Sequence, residues 1–262
     1  KTLFMKLGCI GTGTITTAVI DGLLKSKAKV EQFNISLRSK KNSSKLKKKS
    51  KKIKVYSKNQ DIINQSSIVF ISLLPKVAKQ ELVKLKFKKG QIVISFVSTL
   101  NFSSLKKLCK PASKIIKAAP LPMAMDGLSP TIIYPYQKTA KSLFELIGTV
   151  VVAKNENQNN HLWVMSSFMA TYVTIINNLK KYLQKNKVQT QDANKYLNTF
   201  LTGMLFEINN HRFDLDKSIK SLQTKGGINE ELLKRLEKDK LFKTMQNNLN
   251  KIYLRIKKAN DQ

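Results

Sequence analysis

Arginine is scarce in this chain. It stands only at Arg38, Arg212, Arg235 and Arg255, although Lys and Arg together number 48 against 16 Asp and Glu, for a formal net charge of +32. Bidentate recognition of phosphates and base edges favours the guanidinium over the ammonium. A basic surface built from lysine, spread along the whole length and without a nucleic-acid-binding motif, therefore argues for solvated faces and against a dedicated nucleic-acid partner. Such a field still gathers anionic cofactors and substrates. Cysteine is limited to Cys9 and Cys109, far apart in sequence, and a reduced, cytoplasmic setting is the default for such a chain. The two histidines, His161 and His211, belong to no cluster with metal-ligand spacing, so no metal is expected. Long apolar runs are missing too. The nearest, residues 162–176, carries Ser166, Ser167, Thr171 and Thr174, falls short of the roughly 18 residues a span needs, and reads as a buried helix rather than a membrane anchor. No signal peptide is visible ahead of the first apolar segment.

What is present begins with Gly11-Thr12-Gly13 behind the apolar run Met5–Ile10. The pattern reads as a buried strand, a glycine turn and an amphipathic helix starting at Thr14. The first glycine permits the bend, the second lets the backbone approach a dinucleotide pyrophosphate, and the free N–H groups of the helix start face its charge. The third fingerprint position is Thr16 rather than Gly or Ala; Ala18 and Gly22 are candidates to supply close helix–sheet packing instead.

Strand and helix signals then alternate. Short unbroken apolar runs at residues 33–37, 53–56, 67–73, 91–96, 114–118, 131–134 and 149–153 read as strands covered on both faces, with helical segments between them. This predicts an α/β fold with a Rossmann-type doubly wound parallel sheet. Residues 39–52 form an exposed, lysine-rich helix or loop. After residue 153 strand signals cease and long helical patterns follow at 161–184, 190–208, 214–221 and 229–257, with the polar stretch Asn155–Asn160 as a hinge. The expected division is a dinucleotide-binding domain, 1–153, and an all-helical domain, 154–262. Leu162, Trp163, Val164, Met165, Phe168 and Met169 leave the second little polar face, which points to a partner subunit, a homodimer or higher homo-oligomer.

The end of the second strand separates the coenzymes. An acid there serves the ribose hydroxyl of NAD, whereas an arginine with small polar neighbours takes the 2′-phosphate of NADP. Here the sequence is Leu37-Arg38-Ser39-Lys40, with no acid. NADP is expected as the preferred cofactor, with NAD possible.

At this point the chain resembles the pyrroline-5-carboxylate reductase family along nearly its whole length. Residues 10–18 are similar to its G-x-G-N-M-x-x-A turn, 37–39 to its N-R-S, Leu74-Pro75-Lys76 to its K-P-Q, and 116–122 followed by Gly127 to its V-R-x-M-P-N-T-P…G. Residues 166–173 line up with S-G-S-G-P-A-Y-V, and Thr224-Lys225-Gly226-Gly227-Ile228-Asn229 with S-P-G-G-T-T. The resemblance implies NAD(P)H-dependent reduction of a small-molecule cyclic imine, 1-pyrroline-5-carboxylate to proline, by a homodimer interlocked through its helical domains. It places Gly11, Thr12, Gly13, Thr14, Ile15, Arg38, Ser39, Leu74, Pro75 and Pro120 at the cofactor, Gly226, Gly227 and Lys117 at the substrate, and Thr224 and Asn229 in positioning it.

The departures concern the substrate side. Leu121 replaces the family's Asn, Leu74 its Lys, Ile228-Asn229 its Thr pair, and Ser167, Phe168, Met169 and Ala170 its small residues. Bulkier walls reshape a pocket. Reduction of another small imine or carbonyl acid, with or without a deazaflavin partner, and a catalytically silent dinucleotide-binding protein stand as alternatives. Lys76 and Lys117 are expected at strand ends, facing an anion or solvent, and His161, His211, Asp126 and Glu207 as structural groups.

Overall fold

The computed structural model describes residues 5–261, so the outer ends of the two expected domains, residues 1–4 and 262, lie outside the described residues. The chain divides into two compact units. One runs through Ser166 and takes up the chain again from Tyr253; the other is Ser167–Ile252.

The first unit is built on one eight-stranded sheet. Its strands are β1 (Met5–Ile10), β2 (Val30–Ser36), β3 (Ile53–Tyr56), β4 (Ile68–Ile71), β5 (Ile92–Ser95), β6 (Lys114–Ala119), β7 (Ser129–Tyr134) and β8 (Gly148–Val152), in the order β3-β2-β1-β4-β5-β6-β7-β8. The helices between them are α1 (Thr14–Lys25), α2 (Lys40–Lys49), α3 (Asn59–Asn64), α4 (Pro75–Leu82), α5 (Phe102–Leu108) and α6 (Lys138–Glu145). Successive residues of each strand feed opposite layers. On β4, Ile68 and Phe70 enter one apolar cluster with Cys9, Val19, Ile35 and Phe144, while Val69 and Ile71 enter another with Ile63, Leu82 and Leu105. Burial on both faces is why these strands read as unbroken apolar runs. Burial likewise pushes the thiol of Cys109, at the end of α5, up to about 12 and that of Cys9, on β1, up as well.

The sheet departs from the expected all-parallel form at one place. Strands β1 to β6 are parallel, β7 runs antiparallel to β6, and β8 is parallel to β7. A parallel return needs a crossover of about a dozen residues or more. The connection here is Pro120–Leu128, containing a short 3-10 helix at Pro122–Asp126, and it reverses the chain.

That connection also changes the role expected of Gly22. A Cβ on Gly22 would stand 2.0 Å from the Ala124 carbonyl oxygen and 2.9 Å from Ile147. The glycine lets α1 close on the 3-10 helix rather than on the sheet. Lys25 fastens the same contact, donating to Met125 O at 2.8 Å and Asp126 Oδ1 at 3.2 Å.

The first unit extends past the expected boundary at 153/154. Asn155–Asn160, expected as a hinge, opens a helix, α7 (Glu156–Val164), whose N-cap Asn155 accepts from the Gln158 N–H. Asn159, Asn160, Trp163 and Val164 are buried there. An asparagine-rich run suits a loop, but asparagine is also among the preferred N-caps, and burial settles the choice.

The second unit contains α8 (Phe168–Lys185), α9 (Thr190–Asn210), α10 (Leu215–Leu222), α11 (Ile228–Lys238) and the first half of α12 (Leu241–Asp261). Two expected long helices are interrupted, one by a 3-10 turn at Met165–Ser167 and one at Lys240, where φ is 59°. No residue of α8 or α11 is buried within the chain. Tyr172, Val173, Ile175, Leu179 and Tyr182 of α8 are all exposed. Among the described residues, no helix is long and apolar enough to cross a membrane, and no group of His, Cys, Asp and Glu has the grouping to hold a metal ion.

Gly22 lies inside a helix, where alanine is intrinsically favoured by about 1 kcal/mol. The approach of the Ala124 carbonyl reverses the sign. Gly22→Ala is expected to lower stability by roughly 1–3 kcal/mol, as read from urea unfolding.

Candidate coenzyme cleft

The turn after β1 is fixed by close contacts. Gly11 has φ of 100°, and a Cβ there would stand 2.1 Å from the Ser72 carbonyl oxygen, so conformation and space both require glycine. Its N–H donates to Ser36 Oγ at 3.2 Å, and Thr12 Oγ1 donates to Ser36 O at 3.3 Å. Gly13 is the N-cap of α1, and a Cβ at this position would meet nothing within 4 Å. The first N–H groups of a helix have no intrahelical acceptor. Here no side chain caps them and no acid stands in the first turn. The turn therefore presents donors and the positive end of a helix dipole with space left in front of them.

A cleft of about 410 Å³ lies at this point, lined by Gly11, Thr12, Gly13, Thr14, Ile15, Arg38, Ser39, Ser72, Leu73 and Leu74. It sits past the carboxyl ends of β1, β2 and β4. The strand order turns between β1 and β4, and ligands of open α/β sheets bind at such switch points. Eight of the expected cofactor residues are thus brought together. Pro75, the first residue of α4, follows Leu74 directly; Pro120, just beyond β6, does not line the cleft. Ser72 and Leu73 were not anticipated. The end of the fourth strand was legible, and the switch-point rule would have pointed to it. Arg38 is exposed at the mouth, and the N-cap Ser39 makes no capping bond from its side chain. Both are open to a ligand. The residues fit a dinucleotide: free amides for a diphosphate, and a guanidinium with a hydroxyl for a further phosphate.

Lys117 takes neither setting expected for it. It is completely buried on β6, where its Nζ donates to Glu156 Oε1 at 3.0 Å and lies 5.7 Å from the centre of the Trp163 ring. Glu156 Oε1 also accepts from the Phe102 N–H at 2.8 Å. Burial pushes the ammonium pKa down, and the charge and hydrogen bond of Glu156 pull it back up. This ammonium fastens the first turns of α7 and α5 to β6 and is neither solvated nor free for an anion. Lys76 is exposed on α4.

In the second unit, three donors of the turn at 224–229 are engaged. Gly226, with φ of 73°, donates its N–H to Glu230 Oε2 at 2.6 Å; the Gly227 N–H goes to Thr224 O at 2.8 Å. Asn229 Nδ2 goes to Leu222 O at 3.0 Å. Hydrogen bonds from Lys234 and then from Gly226 hold the Glu230 carboxyl below its usual range. Of the two glycine amides expected to be open to a substrate carboxylate, that of Gly226 carries one of the chain's own and that of Gly227 a backbone carbonyl.

A family model described as NADP oxidoreductase, coenzyme F420-dependent, matches residues 6–99. No curated protein matches the sequence. Among solved structures, the chain is similar to a Plasmodium falciparum pyrroline carboxylate reductase with NADP bound, at 20% identity and a TM-score of 0.85, covering 98% of each chain. It is likewise similar to 1-pyrroline-5-carboxylate reductases from Streptococcus pyogenes (21% identity, TM-score 0.82) and Coxiella burnetii (17%, 0.80), each covering 98% of this chain and 99% of the other. The fold is that of the pyrroline-5-carboxylate reductases. The likeness takes in the short connection that reverses β7 and the helices after it, since hardly any of the chain falls outside it.

The Lys117 pair is asymmetric, with the ammonium fully enclosed and the carboxylate side chain 29% exposed. Removing the carboxylate strands a buried charge; removing the ammonium leaves a carboxylate that water reaches. Glu156→Ala is therefore expected to cost about 3 kcal/mol in chemical denaturation and Lys117→Met about 1 kcal/mol or less. Equal losses would contradict this account.

Proposed function

We propose that the protein is an NADPH-dependent reductase of a small cyclic imine carrying a carboxylate, with 1-pyrroline-5-carboxylate as the leading substrate and proline as its product. The observation that carries this reading is the cleft itself: uncapped amides at Gly13, Thr14 and Ile15, with Arg38 and Ser39 at the other end, in a fold shared with those reductases. The amides hold the diphosphate. Arg38 and Ser39 hold the 2′-phosphate, with no acid nearby to favour NAD. Bound reduced nicotinamide supplies the hydride. A protonated imine is already an electrophile, so the protein's task is alignment rather than acid–base work. Pro120 and the turn of Thr224, Gly226, Gly227 and Asn229 keep their proposed places at nicotinamide and substrate. The substrate carboxylate would displace Glu230 from the Gly226 amide. A second copy of the chain is proposed to cover the exposed apolar residues of α8 and α11, making a homodimer or a higher assembly. The buried free thiols of Cys9 and Cys109 suit a reducing, cytoplasmic setting.

A second reading is favoured by the match at residues 6–99: hydride exchange between NADP and a deazaflavin. The match spans the coenzyme cleft and no part of the second unit, so it bears on the nucleotide more than on the acceptor.

NADPH oxidation followed by absorbance, with 1-pyrroline-5-carboxylate, a panel of cyclic imines and oxidised F420 offered in turn, separates the readings. Turnover with the first supports the proposal. Turnover with F420 alone supports the second reading, and tight NADPH binding with no turnover supports a silent binding protein. Arg38→Asp is expected to lower the NADPH-over-NADH preference by at least about tenfold. An unchanged ratio would remove Arg38 from the site.

A further inference from the structure

Six of the ten residues of α2 are lysine and none is acidic. Lys41, Lys45 and Lys49 follow one another at i,i+4 spacing, which is repulsive along a helix. Only Ser43 and Leu46 are buried. Two polar contacts fasten the helix at its ends. Lys49 Nζ donates to both oxygens of the buried Asp21 on α1, at 2.7 and 2.6 Å. Near the other end, Asn42 Nδ2 donates to the carbonyl oxygen of Thr12, in the glycine turn, at 2.7 Å.

The second contact acts on a particular peptide. The Thr12–Gly13 bond is trans, so its C=O and N–H point in opposite directions in one rigid plane. A side chain that grips the Thr12 oxygen therefore also sets the direction of the Gly13 N–H, on the residue that lines the cleft and caps α1. The Ser36 contacts hold the residues just before it, with the Gly11 N–H on Ser36 Oγ and Thr12 Oγ1 on Ser36 O. The Gly13 oxygen accepts from the Thr17 N–H and Oγ1, each at 3.0 Å, and Asn42 restrains the Thr12 oxygen from outside the strand. We propose that Asn42 is a positioning residue for the coenzyme diphosphate, aiming the Gly13 amide from behind without touching the ligand.

This inference rests on the coenzyme reading above and makes a distinct prediction from it. The diphosphate is common to NADPH and NADH, whereas the 2′-phosphate belongs to NADPH alone. Loss of the Asn42 hydrogen bond should weaken both coenzymes by the same factor, about fivefold for one neutral bond, and leave their ratio unchanged. A merely structural role, in which α2 shifts and carries Ser39 with it, would weaken NADPH selectively.

The test measures NADPH and NADH dissociation constants by fluorescence for the full chain, for Asn42→Ala, for Asn42→Leu, which keeps the volume without a donor, and for Asn42→Gln, which restores a donor. Parallel weakening in Ala or Leu with partial recovery in Gln supports the proposal. Unchanged affinities, or a ratio shifted towards NADH, overturn it. Circular dichroism identifies any variant that fails to fold, and the Ala and Leu variants then stand in for each other; failure of both to fold overturns the proposal in favour of a structural role. If the unaltered protein binds neither coenzyme, the coenzyme reading itself has failed, and that outcome is distinguishable from an unresponsive Asn42.

Discussion

The contact between Gly11 and the Ser72 carbonyl governs the first unit. A left-handed glycine at the exit of β1 lies so close to the exit of β4 that no side chain fits between them. Adjacent parallel strands diverge into helices on opposite faces at a switch point, and the crevice that opens there exists only if their two exits stay close. The Ser72 N–H bond to Ile10 O, at 2.9 Å, fixes the same approach from the other strand. The uncapped start of α1, the open space before Gly13 and the location of the cleft all follow from that approach.

Charge acts around this frame in two different ways. Most lysines are dispersed and solvated, and the large positive field they create is general attraction for anions. A few are individually committed. Lys49 locks a buried carboxylate on α1, Lys25 ties α1 to the 3-10 connection, and Lys117 is enclosed with Glu156 against Trp163. The same residue type serves as solvent-facing charge and as a buried fastening, and only burial tells them apart.

That difference explains what the sequence disclosed. The alternation of strand and helix, the glycine turn and the polar end of β2 are local patterns, and local patterns were readable: seven cleft residues came from them, and Leu74 from the family resemblance. What escaped depends on partners far along the chain. The bond of Lys117 to Glu156 spans 39 positions, and that of Lys25 to Asp126 spans 101. No periodicity reports either. Gly22 was legible as a close-packing residue, but its partner is Ala124 and not the sheet. The direction of β7 was hidden because an apolar strand looks the same in either sense. The run Asn155–Asn160 was misread for a related reason, since the residues that suit a loop are also those that cap a helix. In the second unit, apolar content marked helices correctly, while the break at Lys240 has no glycine or proline to announce it.

The junction of α1 with the 3-10 connection carries a consequence for how such a chain can vary. A helix of twelve residues is about 18 Å long. This one begins at the glycine turn and ends against Ala124, Met125 and Asp126. It works as a strut between the turn and the place where the sheet reverses direction. Residues 120–128 connect two strands, the kind of segment where insertions ordinarily accumulate harmlessly. Here an added residue would push on the far end of the strut, so the length of that connection is under the same geometric discipline as a strand.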